Sequence, residues 1–259
     1  SAFRDAATTM VVYTPAVPSD HPQMQFFREG GFLVEKRSQM LGHLSEGKYV
    51  MAVAGTHGKT TTSTLIAWLN EATGADGSSF LGGIAKNFGG NLVLGSSNRL
   101  AVEADEFDRS FLRLTPDVAV ITAVAADHLD IYGTFEAVVE AFGQFAALIK
   151  KGGHLILKKG VEIALPKEDV HIWRYAYNEK CDFYADNITL CEGGYYNSDI
   201  VTPDGRITGC RLGIPGWVNI ENSVAAVAAM WCAARSRGEA LDLDLLRKGL
   251  CEYSGVKRR

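Results

Sequence analysis

The chain is poor in clustered positive charge. Its 26 Lys and Arg are outnumbered by 30 Asp and Glu, for a net charge of −4. Binding a phosphate backbone calls for grouped Lys and Arg, so nucleic acid is not expected as a partner. Also missing is an apolar stretch of the ~18 residues a membrane span requires, and nothing at the start resembles a secretory signal. No membrane association is expected. Cysteine is sparse: Cys181, Cys191, Cys210, Cys232 and Cys251 are odd in number and far apart. They fit reduced thiols in the cytoplasm better than a disulfide framework or a zinc site. There is no internal repeat, no low-complexity segment and no His-x-x-x-His pattern.

What is present is an ordinary α/β composition, 47% hydrophobic and 22% charged over 259 residues, long for one domain and short for two large ones. Apolar runs predict strands at 49–54, 100–104, 118–124 and 153–157. Helical spacing predicts helices at 59–71, 134–150, 220–236 and 242–251. Strands alternating with helices imply a mostly parallel sheet wrapped by helices. Residues 171–214 differ, with short strands at Ile172–Tyr177, Asp182–Leu190 and Ile207–Leu212. The turn signals Glu192-Gly193-Gly194 and Pro203-Asp204-Gly205 favour hairpins there. The expected class is therefore α/β, a mostly parallel sheet with a small antiparallel portion.

The most specific feature follows the first strand. Tyr49 to Ala54 runs into Gly55-Thr56-His57-Gly58-Lys59-Thr60-Thr61-Thr62, and a helix begins. Glycines let backbone N–H groups converge on an anion, and the helix N-terminus adds the positive end of its dipole. Lys59 supplies a mobile charge for terminal phosphates, and Thr60 a hydroxyl for magnesium. Lys59 is expected to face this site without supporting the core. The spacing is not the common phosphate-loop form, which would place glycine where Val53 stands. The bland alternative is a glycine turn with a solvated lysine, but Lys-Thr-Thr-Thr is a poor helix opening by propensity alone.

A bound triphosphate needs a metal, and the metal needs hard oxygens. The strand at 100–104 runs into Glu103-Ala104-Asp105-Glu106-Phe107-Asp108, at the end of a parallel strand where ligands gather. Strand alternation puts Glu103 and Asp105 on one face. The strand at 118–124 leads to Asp127-His128-Leu129-Asp130, where a lone histidine is by type more often a structural hydrogen-bonding residue than a magnesium ligand. Gly216-Trp217-Val218-Asn219-Ile220-Glu221-Asn222 opens the alanine-rich helix. Asn219 is a good N-cap. Asn222 lies on the same face, and such an amide pair suits the edge of a base such as adenine.

Together these segments resemble the Mur ligase family over nearly the whole chain. The carriers are the G-T-H-G-K-T-T loop, the E-A-D-E-x-D strand end, the D-H-x-D turn and the N-x-x-N helix start. His57 in the loop, Thr14 to Pro18 and Lys36 to Leu41 point to the branch acting directly on UDP-N-acetylmuramate. The resemblance implies a remnant of a UDP-sugar-binding domain at 1–46, a central ATP-binding domain at 47–252, and a linker at 253–259 toward a further domain. Both ends read as cut, at Ser1 to Arg4 and at Tyr253 to Arg259.

By the same resemblance, Gly55, Thr56, His57, Gly58, Lys59, Thr60 and Thr61 would bind nucleotide, with Lys59 on the β/γ-phosphates. Thr60 and Glu103 would ligate one Mg2+, His128 a second metal ion, and Asn219 and Asn222 would face adenine. Lys59, Glu103 and His128 would be the catalytic set. The implied reaction is ADP-forming amide synthesis for peptidoglycan, with ATP and Mg2+ as cofactors. It would join L-alanine to UDP-N-acetylmuramate through an acyl phosphate, or a tripeptide in wall recycling. Ala123, Ala125-Ala126 and Val218 depart from the more polar, proline or histidine residues common at these places. Two other classes compete: a nucleotide-binding module without chemistry, and a metal hydrolase using His57, Asp127 and His128.

Overall fold

The computed structural model describes residues 5–14, 16–166 and 169–257, with the backbone alone for Asp108. Ser1 to Arg4, Pro15 and Arg258–Arg259, which belong to segments singled out above, lie outside the described residues, as does the Asp108 side chain.

The chain divides into two compact units, one up to Glu46 and one from Gly47 onward. In the first, strands β1 (Met10–Tyr13) and β2 (Leu33–Lys36) pair in parallel around helix α1 (Pro22–Glu29). Helix α2 (Arg37–Ser45) follows, and its first turn is tied when the Lys36 N–H donates to Gln39 Oε1 at 2.9 Å.

The second unit is built on a 10-stranded sheet. In chain order its strands are β3 (Tyr49–Ala54), β4 (Ser78–Ala85), β5 (Gly90–Val93), β6 (Arg99–Glu103), β7 (Val118–Ile121), β8 (His154–Lys158), β9 (His171–Ala176), β10 (Phe183–Leu190), β11 (Tyr196–Thr202) and β12 (Gly205–Arg211). Their order across the sheet is β12-β11-β10-β9-β8-β7-β3-β6-β4-β5. From β10 to β4 every neighbouring pair is parallel; β4–β5 at one edge, and β10–β11 and β11–β12 at the other, pair antiparallel. The expected mostly parallel α/β sheet with an antiparallel portion is what forms. Strand order departs in opposite directions from β3, so β3 ends at the switch point where such sheets bind ligands.

The central strands β3, β6 and β7 are largely apolar, Arg99 and Glu103 at the two ends of β6 apart, because both their faces are covered. Helix α3 (Lys59–Ala72) packs against α6 (Val218–Ser236) and α7 (Leu243–Glu252). Val224 to Ala234 of α6 are all buried, which is why this helix reads as alanine-rich and shows little polar face. Short helix α4 (Leu129–Tyr132) and α5 (Phe135–Ala146) lie between β7 and β8, and the Thr134 side chain caps α5 by accepting from the Ala137 N–H.

Five expectations are corrected. The strand expected at 118–124 stops at Ile121, because Thr122 turns its hydroxyl back onto the loop. The helix expected at 134–150 ends at Ala146. The edge pair β4–β5 and strand β11 are additional, and β9 and β10 pair in parallel. Asn219 is not an N-cap, since α6 already starts at Val218.

Candidate nucleotide site

The four residues between β3 and α3 form a tight loop whose shape only glycine permits at two places. Gly55 has φ +134°, and a Cβ there would lie 2.2 Å from Thr122 Oγ1. Gly58 has φ +85°, and its Cβ would meet Asn222 Oδ1 at 2.9 Å. Both sit outside the backbone region open to L side chains, so the close approach and the turn share one cause. The end of β7 holds the loop: the Thr56 N–H donates to Ala123 O at 3.0 Å, and the Thr122 hydroxyl donates to Ala54 O and His57 O. Ala123 serves here through its backbone, so its missing polar side chain costs the loop nothing. His57 is exposed on the loop's outer side.

Lys59 and Thr60 open α3 and point to different carboxylates. Lys59 Nζ donates to Gly55 O at 2.8 Å and lies 2.8 Å from each carboxylate oxygen of Glu106. The Lys59 side chain is 14% exposed and that of Glu106 only 1%. Lysine is thus neither solvated nor structurally idle, contrary to both expectations above. Burial raises the Glu106 carboxyl above its ordinary range, while the Lys59 ammonium acts to lower it. Thr60 Oγ1 donates to Glu103 Oε1 at 3.1 Å, and the Gly82 N–H donates to Glu103 Oε2 at 2.9 Å.

Glu106 is the residue that sequence reasoning missed. Alternation favoured Asp105 as the partner of Glu103, but β6 ends at Glu103 and the chain turns into a 3₁₀ helix at Phe107–Arg113. Asp105 is exposed and accepts from the Phe107 N–H, while Glu106 points inward. The available signal was the end of the apolar run Leu100-Ala101-Val102, past which a period-two alternation need not continue.

His128 adopts a left-handed conformation, φ +53°, before α4. Its Nε2 lies 4.0 Å from Glu106 Oε1 and 3.9 Å from Asp127 Oδ2, and its ring meets Phe107 edge-on at 5.3 Å. Asn222 is buried; it accepts from Thr62 Oγ1 at 3.3 Å and donates to Asn219 Oδ1 at 3.2 Å. Asn219 donates to Pro215 O at 2.7 Å.

The structure therefore gathers Lys59, Glu106 and His128 on one side of the loop, Thr60 and Glu103 beside them, and Asn222 against Gly58 with Asn219 bonded to it. Among the described residues, no three His, Cys, Asp or Glu side chains converge as a metal cluster. That lends nothing to the hydrolase alternative, whereas a hydroxyl beside a carboxylate suits a cation that phosphate oxygens would also hold.

A glycine-bound loop, a helix N-terminus and a lysine at the switch point of a parallel sheet define a phosphate-loop domain of the ATPase type. Residues 53–230 match the model of the Mur ligase middle domain. A UDP-N-acetylmuramate–L-alanine ligase of Phocaeicola vulgatus is 47% identical over the whole chain, and one of Parabacteroides distasonis 46%. The chain spans about half of these curated relatives, 55% of each. Among solved structures, UDP-N-acetylmuramate-alanine ligase of Thermotoga maritima superposes with a TM-score of 0.79 at 25% identity, over 99% of this chain and 58% of that one. The chain belongs to the Mur ligase family. No helix among the described residues is long and apolar enough to cross a membrane.

Proposed function

We propose that this chain carries the ATP and Mg2+ site of an ADP-forming ligase that joins L-alanine to UDP-N-acetylmuramate for peptidoglycan. The observation that supports it most is the 47% identity, along the entire chain, to a relative bearing that activity's name. The geometry supports it independently. On this reading residues 1–46 belong to a UDP-sugar-binding domain, 47–252 form the ATP-binding domain, and 253–259 lead to a further domain. The five cysteines are unpaired thiols, in keeping with a cytoplasmic location.

The residues present fit the cation. The Thr60 hydroxyl and Glu103 are hard oxygen donors already in contact, and Gly82 leaves the space the carboxylate occupies: a Cβ there would lie 2.3 Å from both of its oxygens. Thr60 and Glu103 would hold Mg2+, which when bound offsets phosphate charge, and His128 stands ready as a ligand to a second ion. Phosphoryl transfer is chiefly positioning and charge neutralisation. The loop amides and the α3 N-terminus orient the phosphates, Lys59 offsets their charge, and Asn222 with Asn219 presents amide groups to adenine beside Gly58. The family chemistry then runs from carboxylate to acyl phosphate to amide.

The test is phosphate release by the whole gene product with ATP and UDP-N-acetylmuramate. Release that depends on L-alanine is expected. Release that depends on a tripeptide instead, or on no amine at all, overturns the substrate assignment.

A further inference from the structure

Glu106 has no role in the scheme above, yet it is the most deeply buried carboxylate at the site and the main partner of Lys59. An ammonium has three N–H donors. Gly55 O takes one and Glu106 Oε1 another, while Glu106 Oε2, also 2.8 Å away, completes the ion pair without a hydrogen bond of its own. A phosphate that takes up Lys59 therefore competes with Glu106 for its charge. The backbone that carries the carboxylate is held in place. The Tyr132 hydroxyl donates to Glu106 O, and Arg109 N–H donates to the same oxygen at 3.0 Å. The other charged or titratable groups near its carboxylate are His128, with Nε2 at 4.0 Å, and the neighbouring Asp105.

We propose that Glu106 is a displaceable counter-ion of Lys59, which the terminal phosphates of a nucleotide must replace and which thereby sets how tightly the site holds its nucleotide. The proposal rests on the nucleotide reading of the site. Phosphates carry more charge than one carboxylate, so the exchange favours binding. The displaced carboxylate stays close and repels the polyanion, because charges a few ångströms apart in a partly desolvated site interact strongly. Spent nucleotide leaves as Glu106 recovers its lysine. Release of product limits turnover in many enzymes, and a weaker hold on ADP serves it.

The test uses Mg-ADP carrying an N-methylanthraniloyl fluorophore and the variant Glu106→Gln. Glutamine keeps the length and one acceptor oxygen but removes the charge. The variant should bind about five- to ten-fold more tightly, mainly through slower dissociation, as affinity changes within one site usually arise. Damage to the fold would weaken binding, so a gain separates this role from a merely structural one. Equal or weaker binding overturns the proposal. Should Glu106→Gln not fold, the Lys59 NζH₃⁺ resonance of the unsubstituted protein decides. It should shift on saturation with Mg-ADP as the lysine changes partner, and an unmoved signal is the contrary result. Failure of the unsubstituted chain to bind Mg-ADP would instead refute the nucleotide reading, and this role with it.

Discussion

Thr60 and Glu103, 43 positions apart in sequence, share a hydrogen bond of 3.1 Å at the ends of α3 and β6. The contact exists because β3 and β6 are parallel neighbours, with Val53 opposite Glu103. The first turn of the helix leaving β3 thus hangs over the carboxylate ending β6.

Glu103→Gln should raise the Mg2+ requirement. The amide can keep its bond to Thr60, so the fold should hold, but the charge that attracts a divalent ion is gone. Nucleotide-dependent stabilisation, read as a rise in melting temperature at graded Mg2+, should need roughly ten-fold more metal. An unchanged magnesium midpoint would remove Glu103 from the metal site.

Lys59→Ala should cost stability as well as nucleotide binding. It would leave the Glu106 carboxylate, 1% exposed, without a counter-ion. Breaking a buried pair costs about 3–5 kcal/mol, and the partial exposure of Lys59 places this case near ~3. Adding Glu106→Gln to Lys59→Ala should recover most of that loss in urea unfolding. Independent, additive losses would show that the pair is not coupled.

Much of this site is legible from sequence because short motifs carry it. The run from Gly55 to Thr62 announces strand, turn and helix, and strand-end carboxylates locate themselves once the sheet is parallel. Glu106 is hidden because its direction depends on where β6 stops, and a period-two pattern extrapolates past that point to Asp105. Asn219 fails as a cap for a similar reason. Helix α6 begins at Val218, two residues before the expected start, and the amide is occupied with Pro215 O. Strand β4, next to the edge, carries Gly82-Gly83, poor strand formers by propensity. Their reason is tertiary, since the Glu103 carboxylate and Val256 fill the space beside them.

Stability should fall as pH drops from about 6.5 toward 4 through His154. This histidine is buried, accepts from the Trp173 indole N–H at Nδ1 (2.9 Å) and contacts Ser236 Oγ through Nε2 (2.7 Å). Burial, then the nearby His171 and Arg235, push it down to about 4 from 6.5. Between these values the unfolded chain takes up a proton that the folded one refuses, so stability is fully present above 6.5 and is lost progressively below it. At ~1.4 kcal/mol per pH unit the effect is at most ~3 kcal/mol. His154→Gln should flatten this part of the stability curve, and an unchanged slope between pH 6.5 and 4 would deny the histidine's role.

Alanine substitutions at three glycines should separate backbone freedom from contact. Gly74, just past α3, has φ +72° and nothing near the place of a Cβ. Gly74→Ala should therefore cost only the left-handed penalty, about 1 kcal/mol. Gly58→Ala adds a collision with Asn222 Oδ1, an atom already engaged with Thr62. Asn222 can give way only by losing that bond, so a moderate loss of stability, ~2 kcal/mol, should accompany a clear loss of nucleotide affinity. Gly55→Ala meets Thr122 Oγ1 and the backbone of Ala123 at once, which cannot retreat without releasing the loop from β7. It should be the most damaging, about 3 kcal/mol or more. Chemical unfolding with and without Mg-ADP gives both quantities, and equal costs at all three positions would mean that the loop is not held against β7 and α6 as described.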